Sequence, residues 1–441
     1  MRLILTITIA TLCTLAADSQ RWTLPQCIDY ALQHNISLKQ RENSNRQREL
    51  DVSNARNSRL PDLNFNAGEN ISFGRGLTSD NTYTNNTTTS TNFNLSTSVP
   101  LFTGMRIPSQ IKLSKLNLEA SVADLEKAKN DISMNVAQYY IQVIYNRELV
   151  DVARRQISID SMQVERLNAL MENGRASQVE VSQQMSTLAQ SRLTLTNAQN
   201  DLRLSLLNLS QLLELPTPEG FDIVAPSLDA VGALELNTSM TPDAIYAEAL
   251  GVKPEIVAEH LRLQASDYSV KIAEADLYPI LSLSGGMGTN YYETSGFKTT
   301  SFGEQLKNNF SQSIGINLNV PIFSRFQTRN GIRRAKLDRN NQQLALDNAK
   351  KSLYKEIQQV YYNALSAKSK YESSAAAAKS SEDAFALMQA KYENGKANIT
   401  EFNESKNNTL RSQSDLINAR YNYLYELSLI DFYCGRPLKL R

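Results

Sequence analysis

Each half of the chain contains a region in which apolar and polar residues alternate with a period of two. These regions cover residues 62–101 and 280–322. One face carries side chains such as Phe65 and Leu283, and the opposite face is rich in Asn and Ser. This alternation predicts amphipathic β-strands, and we expect one β-hairpin in each region.

Two environments suit strands of this kind: a half-buried soluble sheet, or a membrane barrel with lipid outside and water inside. Long polar loops beginning at Ser79 and Thr294 favour the barrel. Four strands cannot close a pore, and open sheet edges are not tolerated in lipid, so we expect three copies to supply twelve strands. Glu69 has the parity of the apolar residues, which predicts a position near the rim or a β-bulge.

Long helical segments follow both predicted hairpins, at residues 103–173 and 324–394. Each would span about 105 Å if unbroken. A glycine, Gly174 or Gly395, then turns the chain into a shorter helix, giving helical hairpins over 103–215 and 324–434. Apolar residues in the first segment follow the heptad spacing of a coiled coil. They are Leu118, Val122, Leu125, Ile132, Val136, Tyr139 and Val143.

The sequence also repeats itself. ENGRASQVEV begins at Glu172 and ENGKANITEF at Glu393, an offset of 393 − 172 = 221 residues. The same offset pairs VPLF at Val99 with VPIF at Val320. Self-similarity at a fixed offset predicts two structural repeats of the same architecture.

These features predict a domain organisation. We expect repeats at residues 18–216 and 242–437, a linker at 217–241 and a tail at 438–441. Each repeat would contain a helix, a β-hairpin and a long helical hairpin. The opening helices would cover 24–59 and 242–277, each ended by a proline.

The first residues resemble a secretory signal peptide over 1–17, with Arg2 before an apolar run and small residues at its end. Cleavage would leave two cysteines, Cys27 and Cys434. An exported protein permits a disulfide between them. Two free thiols, buried as small apolar residues, are an equal alternative.

Composition excludes several function classes. Lys and Arg number 46 against 45 Asp and Glu, and this net charge of +1 argues against a nucleic-acid partner. The two histidines, His34 and His260, stand without any metal-binding motif. The sequence has no P-loop and no GxSxG. We therefore predict neither a metal nor a cofactor, and no enzymatic activity.

The chain resembles the TolC family of outer-membrane efflux proteins over nearly its whole mature length. The resemblance is carried by WTLPQCIDYALQHNISL at Trp22, the VPLF and VPIF strand ends, the two glycine turns and DLINARYNYLYELSLIDFYCGRPL at Asp415. It implies a mainly α fold with a membrane β-barrel. The homotrimer would have four strands per protomer, and a long α-helical barrel would extend into the periplasm.

The resemblance further implies a passive exit duct in the outer membrane of a Gram-negative bacterium. It would serve a tripartite efflux pump or a type I secretion system, with a periplasmic adaptor protein and an inner-membrane pump as partners. A function from another class is an exported coiled-coil stalk or adhesin with no pore. The sequence does not identify the cargo.

Site residues follow from the resemblance position by position. The adaptor would contact the hairpin tips at Gly174, Arg175, Ala176, Ser177, Gly395, Lys396, Ala397 and Asn398. The closed periplasmic gate would involve Glu180 and Tyr392, but Ala397 replaces the family arginine. Lys396 or Arg175 would be the substitute cation.

Two carboxylates, Glu401 and Glu404, match acids that the family carries just inside this gate. Spaced i,i+3, they lie on one helix face, and in a trimer they would form two rings that favour cations. The alternative is that they stabilise the positive end of their helix.

Overall fold

The computed structural model describes residues 21–77, 81–216, 219–225 and 241–438, most of which are helical. The elements in chain order are β1 (Arg21–Trp22), α1 (Leu24–His34), α2 (Ile36–Asn57), β2 (Asn64–Leu77), β3 (Tyr83–Phe102), α3 (Arg106–Glu172), α4 (Gln178–Leu212), β4 (Asp222–Ile223), α5 (Pro242–Val252), α6 (Pro254–Glu274), β5 (Ile280–Thr294), α7 (Phe302–Asn308), β6 (Ser311–Asn319), α8 (Gln327–Glu393) and α9 (Ile399–Tyr433). No helix in the described ranges is both long and apolar enough to cross a membrane.

The chain divides into two compact units. A helical unit lies within Met1–Glu42, Leu125–Pro254 and Lys350–Arg441, and a strand-bearing unit within Asn43–Asp124 and Glu255–Ala349. The strand-bearing unit holds an antiparallel sheet of β2, β3, β5 and β6, in that order. Strands β2 and β6 are therefore the edges of the sheet within the described chain.

The register of the sheet places the alternating residues on two distinct faces. Phe65 lies opposite Leu95, which lies opposite Met287, so the apolar parity is shared across strands. Glu69 pairs with Thr91 in the middle of β2 without any shift, so the predicted rim position or bulge is wrong there. The irregularity instead lies between Pro100 and Phe102.

The second polar loop contains an element that the sequence pattern did not predict. Helix α7 forms between β5 and β6, and hydrogen bonds connect it to β5. Gln305 exchanges hydrogen bonds with the backbone of Tyr292, and the hydroxyl of Thr289 donates to the carbonyl of Leu306. This helix partly orders the connection of the second hairpin.

Each predicted opening helix is in fact two helices. The first breaks at buried Asn35, whose side chain accepts hydrogen bonds from the backbone of Ser37 and Leu38 and so caps α2. The second breaks at Lys253, because Pro254 cannot donate to the helix before it and begins α6.

Strand-to-helix junctions at equivalent places in the two repeats share an unusual backbone. Gly104 and Met105 have φ of 59° and 67°, and Arg325 and Phe326 have φ of 49° and 63°. Only the first junction uses glycine. A Cβ at Gly104 would lie 2.7 Å from the Cβ of Tyr278, so this position needs glycine for space as well as for its backbone conformation.

In the helical unit, one apolar core joins α1, α3, α4, β4 and α9. Strands β1 and β4 pair in parallel, and the Tyr140 hydroxyl donates to the carbonyls of Trp22 and Val224 beside them. Arg147 donates to the Ile223 carbonyl and also contacts Asp222. Part of the predicted linker is therefore built into the core.

Helices α3 and α8 each contain 67 residues and start 221 residues apart, as 327 − 106 = 221. Of the heptad positions, Leu125, Val136 and Val143 are buried within this chain, whereas Val122 and Tyr139 are exposed on it. Small side chains also take part in the packing. Ala120, Ala123, Ala128 and Ala137 are all buried.

Cys27 and Cys434 are both free and buried, so the disulfide is a wrong prediction in this structure and the free-thiol alternative describes the pair. Burial raises the pKa of Cys27 to about 12 and that of Cys434 to about 11. The two thiols have different surroundings. Cys27 belongs to the apolar core, whereas the charge of Glu248 also acts on Cys434.

Parts of several predictions lie outside the described residues. They are the signal peptide at 1–17, residues 18–20 of the first repeat, residues 78–80 in the polar connection of the first hairpin, residues 217–218 and 226–240 of the linker, and residues 439–441 of the tail.

Candidate functional site at the hairpin tips

Both helical hairpins turn through the same hydrogen-bonded motif. Arg175 donates its backbone N–H to the Leu170 carbonyl at 2.8 Å, and Gly174 donates to Met171 at 2.9 Å. In the second hairpin, Lys396 donates to Lys391 and Gly395 to Tyr392. This is the Schellman motif, which requires a left-handed residue at the glycine position. Gly174 and Gly395 accordingly have φ of 70° and 68°, with open space where a Cβ would lie.

The helices that follow the turns begin with matching capping boxes. Ser177 caps α4, and its backbone N–H donates to the Glu180 carboxylate at 2.8 Å. Asn398 caps α9, and its backbone N–H donates to the Glu401 carboxylate at 3.0 Å. The two acids are equivalent, since 401 − 180 = 221. Each stabilises its own helix start, which is the structural role that the sequence left open for Glu401.

Tyr392 is the penultimate residue of α8, and it packs against an aromatic group of its own hairpin. Its ring stacks on Phe402 with centroids 4.8 Å apart, and Phe402 also contacts Phe385. Phe402 is fully buried. Burial raises the pKa of Tyr392, and the nearby Glu180 carboxylate raises it further while Arg166 opposes the shift.

The two cations proposed from sequence lie elsewhere. Lys396 and Arg175 take part in the turns through their backbone N–H groups, and their side chains are exposed. The cation beside Tyr392 is instead Arg166 of α3. Its guanidinium carbon lies 5.0 Å from the Tyr392 ring centroid, and its Nη2 donates to the Glu393 carbonyl at 3.0 Å.

Arg166 is a residue that sequence reasoning missed. The equivalent position in the second repeat is Leu387, because 166 + 221 = 387, so the repeat pattern gives no signal for it. The resemblance gave none either, since it pointed to a cation adjacent to the turn itself.

A buried ion pair lies farther along the hairpins and was also missed. The Lys406 ammonium is 2.5 Å from a carboxylate oxygen of Asp160, and both side chains are almost completely buried. Asp160 also accepts hydrogen bonds from Gln156 and Ser191, and Lys406 donates to Asn403. The pair joins α3 to α9, so it connects the two helical hairpins.

Glu401 and Glu404 are both exposed, one helical turn apart on α9. Of the adaptor-contacting positions predicted at the tips, Ala176 and Ala397 are half-buried and the others are exposed. The arrangement therefore presents small and polar groups at the turns, with acidic groups one or two helical turns behind them.

Comparison with known proteins gives a consistent result. The model of a family described as outer membrane efflux protein matches residues 27–214 and 245–435. The chain is 28% identical to the fusaric acid resistance protein FusA of Burkholderia cepacia over 251 residues, 53% of this chain and 44% of FusA. The match thus spans less than half of that relative.

A longer match is found with the outer membrane protein TolC of Vibrio cholerae, 23% identical over 378 residues, 85% of this chain and 81% of the relative. The solved structure of the outer membrane protein VceC, also from Vibrio cholerae, superposes with a TM-score of 0.74 at 19% identity, covering 94% of this chain and 97% of that one. At that identity the likeness concerns the fold.

Proposed function

The chain belongs to the outer membrane efflux protein family, and on that premise we propose that three copies form a channel through the outer membrane that extends into the periplasm. Its family and fold are those of channel proteins and not of enzymes. Within this proposal the protein is an efflux or secretion exit duct. More specifically, it would be the passive exit of a tripartite pump or of a type I secretion system.

The exposed apolar face of the sheet is the observation that carries the trimer proposal. Phe73 is 79% exposed, and Ile314 and Ile316 are 86% and 69% exposed. A soluble stalk or adhesin would leave this face in water, whereas lipid would cover it in a barrel. The alternative without a pore is therefore disfavoured.

The apolar face crosses the strands obliquely. On β2 it continues to Ile71 and Phe73, whose partners on β3 are Thr89 and Thr87. On β3 this face carries asparagine and threonine between Tyr83 and Phe93, and its apolar residues resume at Phe93, opposite Ala67. An apolar band of constant height crosses tilted strands in this manner, and membrane barrel strands tilt by roughly 35–45°.

The open edges give the reason for association. Strands β2 and β6 each pair on one side within the chain, and unpaired backbone groups are costly in lipid. Pairing β6 of one copy with β2 of the next would satisfy both edges. Three such contacts would close a barrel of twelve strands, an even number within the known range.

Partners at the periplasmic end follow from the hairpin tips. We propose that an adaptor protein contacts the two glycine turns and that an inner-membrane pump supplies energy, since the sequence has no nucleotide-binding loop. The gate would lie at the same tips. It would use Tyr392 and Glu180, with the cation considered in the next subsection.

A matched pair of variants tests the membrane barrel. Ile316→Arg places a charge on the apolar face of β6, and Asn317→Arg places the same charge on the polar face. Arginine toward lipid costs roughly 2–4 kcal/mol near the membrane midplane and less near its surfaces. We expect Ile316→Arg to lower the yield of outer-membrane trimers and Asn317→Arg to leave it unchanged.

Analytical ultracentrifugation of the wild type in detergent completes the test. We expect a trimer. A monomeric wild-type protein, or equal trimer yields for the two arginine variants, would contradict the proposed assembly.

A further inference from the structure

Arg166 joins the two helical hairpins at their tips. It projects from α3, in the first hairpin, and both groups that it contacts belong to the last two residues of α8, in the second. A guanidinium within about 6 Å of a ring centroid makes a favourable cation–π contact, and the measured 5.0 Å to Tyr392 satisfies this.

The second contact of Arg166 satisfies a backbone group that the turn leaves over. The last carbonyls of a helix have no partner within it. At the end of α8, Lys391 and Tyr392 receive the N–H groups of the turn, and the Glu393 carbonyl receives the Arg166 guanidinium at 3.0 Å. A cation at this place also interacts favourably with the negative end of the helix dipole.

Resting on the proposed channel function, we infer that Arg166 supplies the gate cation in this chain, where Ala397 replaces the arginine of the family. It acts within one protomer, as a positioning residue: it holds the Tyr392 ring and the end of α8 against the first hairpin. Opening the gate by moving the second hairpin away from the first breaks both contacts at once. The closed state therefore depends on Arg166 more than on the exposed cations Lys396 and Arg175.

The second repeat has no counterpart of this contact. Leu387 stands at the position equivalent to Arg166, and Met171 at the position equivalent to Tyr392, since 392 − 221 = 171. Leu387 is 69% exposed. The contact thus acts on the second tip alone, and we infer that the second hairpin is the part whose movement it restrains.

Single-channel conductance in planar bilayers tests the inference. Arg166→Ala should shift the channel toward its open level by about tenfold per protomer, as expected from loss of a cation–π contact and a charged hydrogen bond. Arg155→Ala removes an equal charge at an exposed position of the same helix and should behave like the wild type. Arg166→Lys keeps the charge but not the planar fork, and should give an intermediate shift.

The variants of Tyr392 separate its ring from its hydroxyl. Tyr392→Phe keeps the ring and should remain closed like the wild type, whereas Tyr392→Leu should match Arg166→Ala. The double variant of Arg166→Ala and Tyr392→Leu should open little more than either single variant, because both remove one contact. Equal conductance of Arg166→Ala and Arg155→Ala would overturn the inference, and so would opening by Tyr392→Phe alone.

Amide hydrogen exchange of residues 391–396 provides a readout that does not require conduction. Arg166→Ala should speed exchange there by about tenfold relative to Arg155→Ala, since the end of α8 loses its capping donor. Unchanged exchange overturns the contact, and faster exchange without a change in conductance overturns its role in the gate. A wild-type protein that never conducts contradicts the proposed function instead.

Discussion

The ammonium of Lys406 lies 2.5 Å from a carboxylate oxygen of Asp160, and the exposed fractions of the two side chains are 2% and 0%. A charge buried to this degree needs its partner, because desolvation costs several kcal/mol per ion. Asp160 has additional donors in Gln156 and Ser191, while Lys406 has a further acceptor in Asn403. The network thus fixes helices α3 and α9 in one mutual register.

Loss of one partner of this pair should be more harmful than loss of both. We expect Lys406→Met to destabilise the protein by about 3–5 kcal/mol, because it leaves the Asp160 carboxylate without a counter-charge. The double variant with Asp160→Asn should regain much of the loss. Urea or thermal unfolding followed by circular dichroism measures the cycle. Losses that simply add would show that the two charges are not coupled.

Glu426 should make stability depend on pH. Burial raises its pKa from an ordinary value of 4.5 to about 7, with a hydrogen bond from Asn363 opposing the shift, and one carboxylate oxygen has no hydrogen-bond partner. The folded state therefore binds the proton more tightly than the unfolded state. Its stabilising effect is fully present below pH 4.5 and is lost as the pH rises through about 7.

The expected loss across this window is at most about 3 kcal/mol. Glu426→Gln should remove that dependence, and Glu165→Gln, at an exposed position on α3, should keep it. Thermal unfolding of detergent-solubilised protein between pH 4.5 and 8 compares the three proteins. A wild-type slope that persists in Glu426→Gln would assign the effect to another group.

The carboxylate rings proposed at Glu401 and Glu404 can be tested without disturbing the helix start. Glutamine at the third position of a capping box still accepts the hydrogen bond from Asn398, so Glu401→Gln removes charge and keeps the cap. We expect the double variant with Glu404→Gln to lose cation selectivity in planar bilayers. Reversal potentials equal to those of the wild type would favour a purely structural role for both acids.

Substitutions at Gly395 can separate its role in the turn from the proposed adaptor contact. Valine strains a left-handed position by about 1–2 kcal/mol, whereas asparagine tolerates it. Apart from its sequence neighbours, no atom of the described residues lies within 4 Å of a Cβ built there, so a steric conflict would come from a partner. If an adaptor docks at this tip, Gly395→Asn and Gly395→Val should both reduce export while trimers form normally.

Export by Gly395→Asn at the wild-type rate, with a defect in Gly395→Val, would mean that glycine serves the turn alone. The same pair at Gly174 repeats the test in the first hairpin, where the backbone conformation is nearly the same.

The family and the outer-membrane location predicted from sequence are confirmed by the family match. Patterns that rest on local chemistry were readable, such as the glycine turns and the period of the strands. Helix α7 was missed because a seven-residue helix within a polar loop has no clear apolar period. The break before Pro254 carried a signal, but the helical pattern on both sides of it obscured the boundary.

The contacts of the site were harder to predict, for a physical reason. Arg166 and Tyr392 are separated by 226 residues, as 392 − 166 = 226, and Asp160 and Lys406 by 246. Neither pair has a spacing that marks it, since the packing of four helices brings them together. The heptad prediction also considered large residues alone, whereas alanines such as Ala120 and Ala137 are buried as well.

The two hairpin tips share the same turn and the same capping box, yet among the described residues an arginine from the other hairpin holds only the second. The shared turn and capping box serve the folding of both tips. In the proposed gate, the unshared pair of Arg166 and Tyr392 would distinguish a second tip that moves from a first tip that keeps a fixed surface. An exchange of the two tip sequences should therefore give a protein that folds but in which the two tips no longer differ in this way.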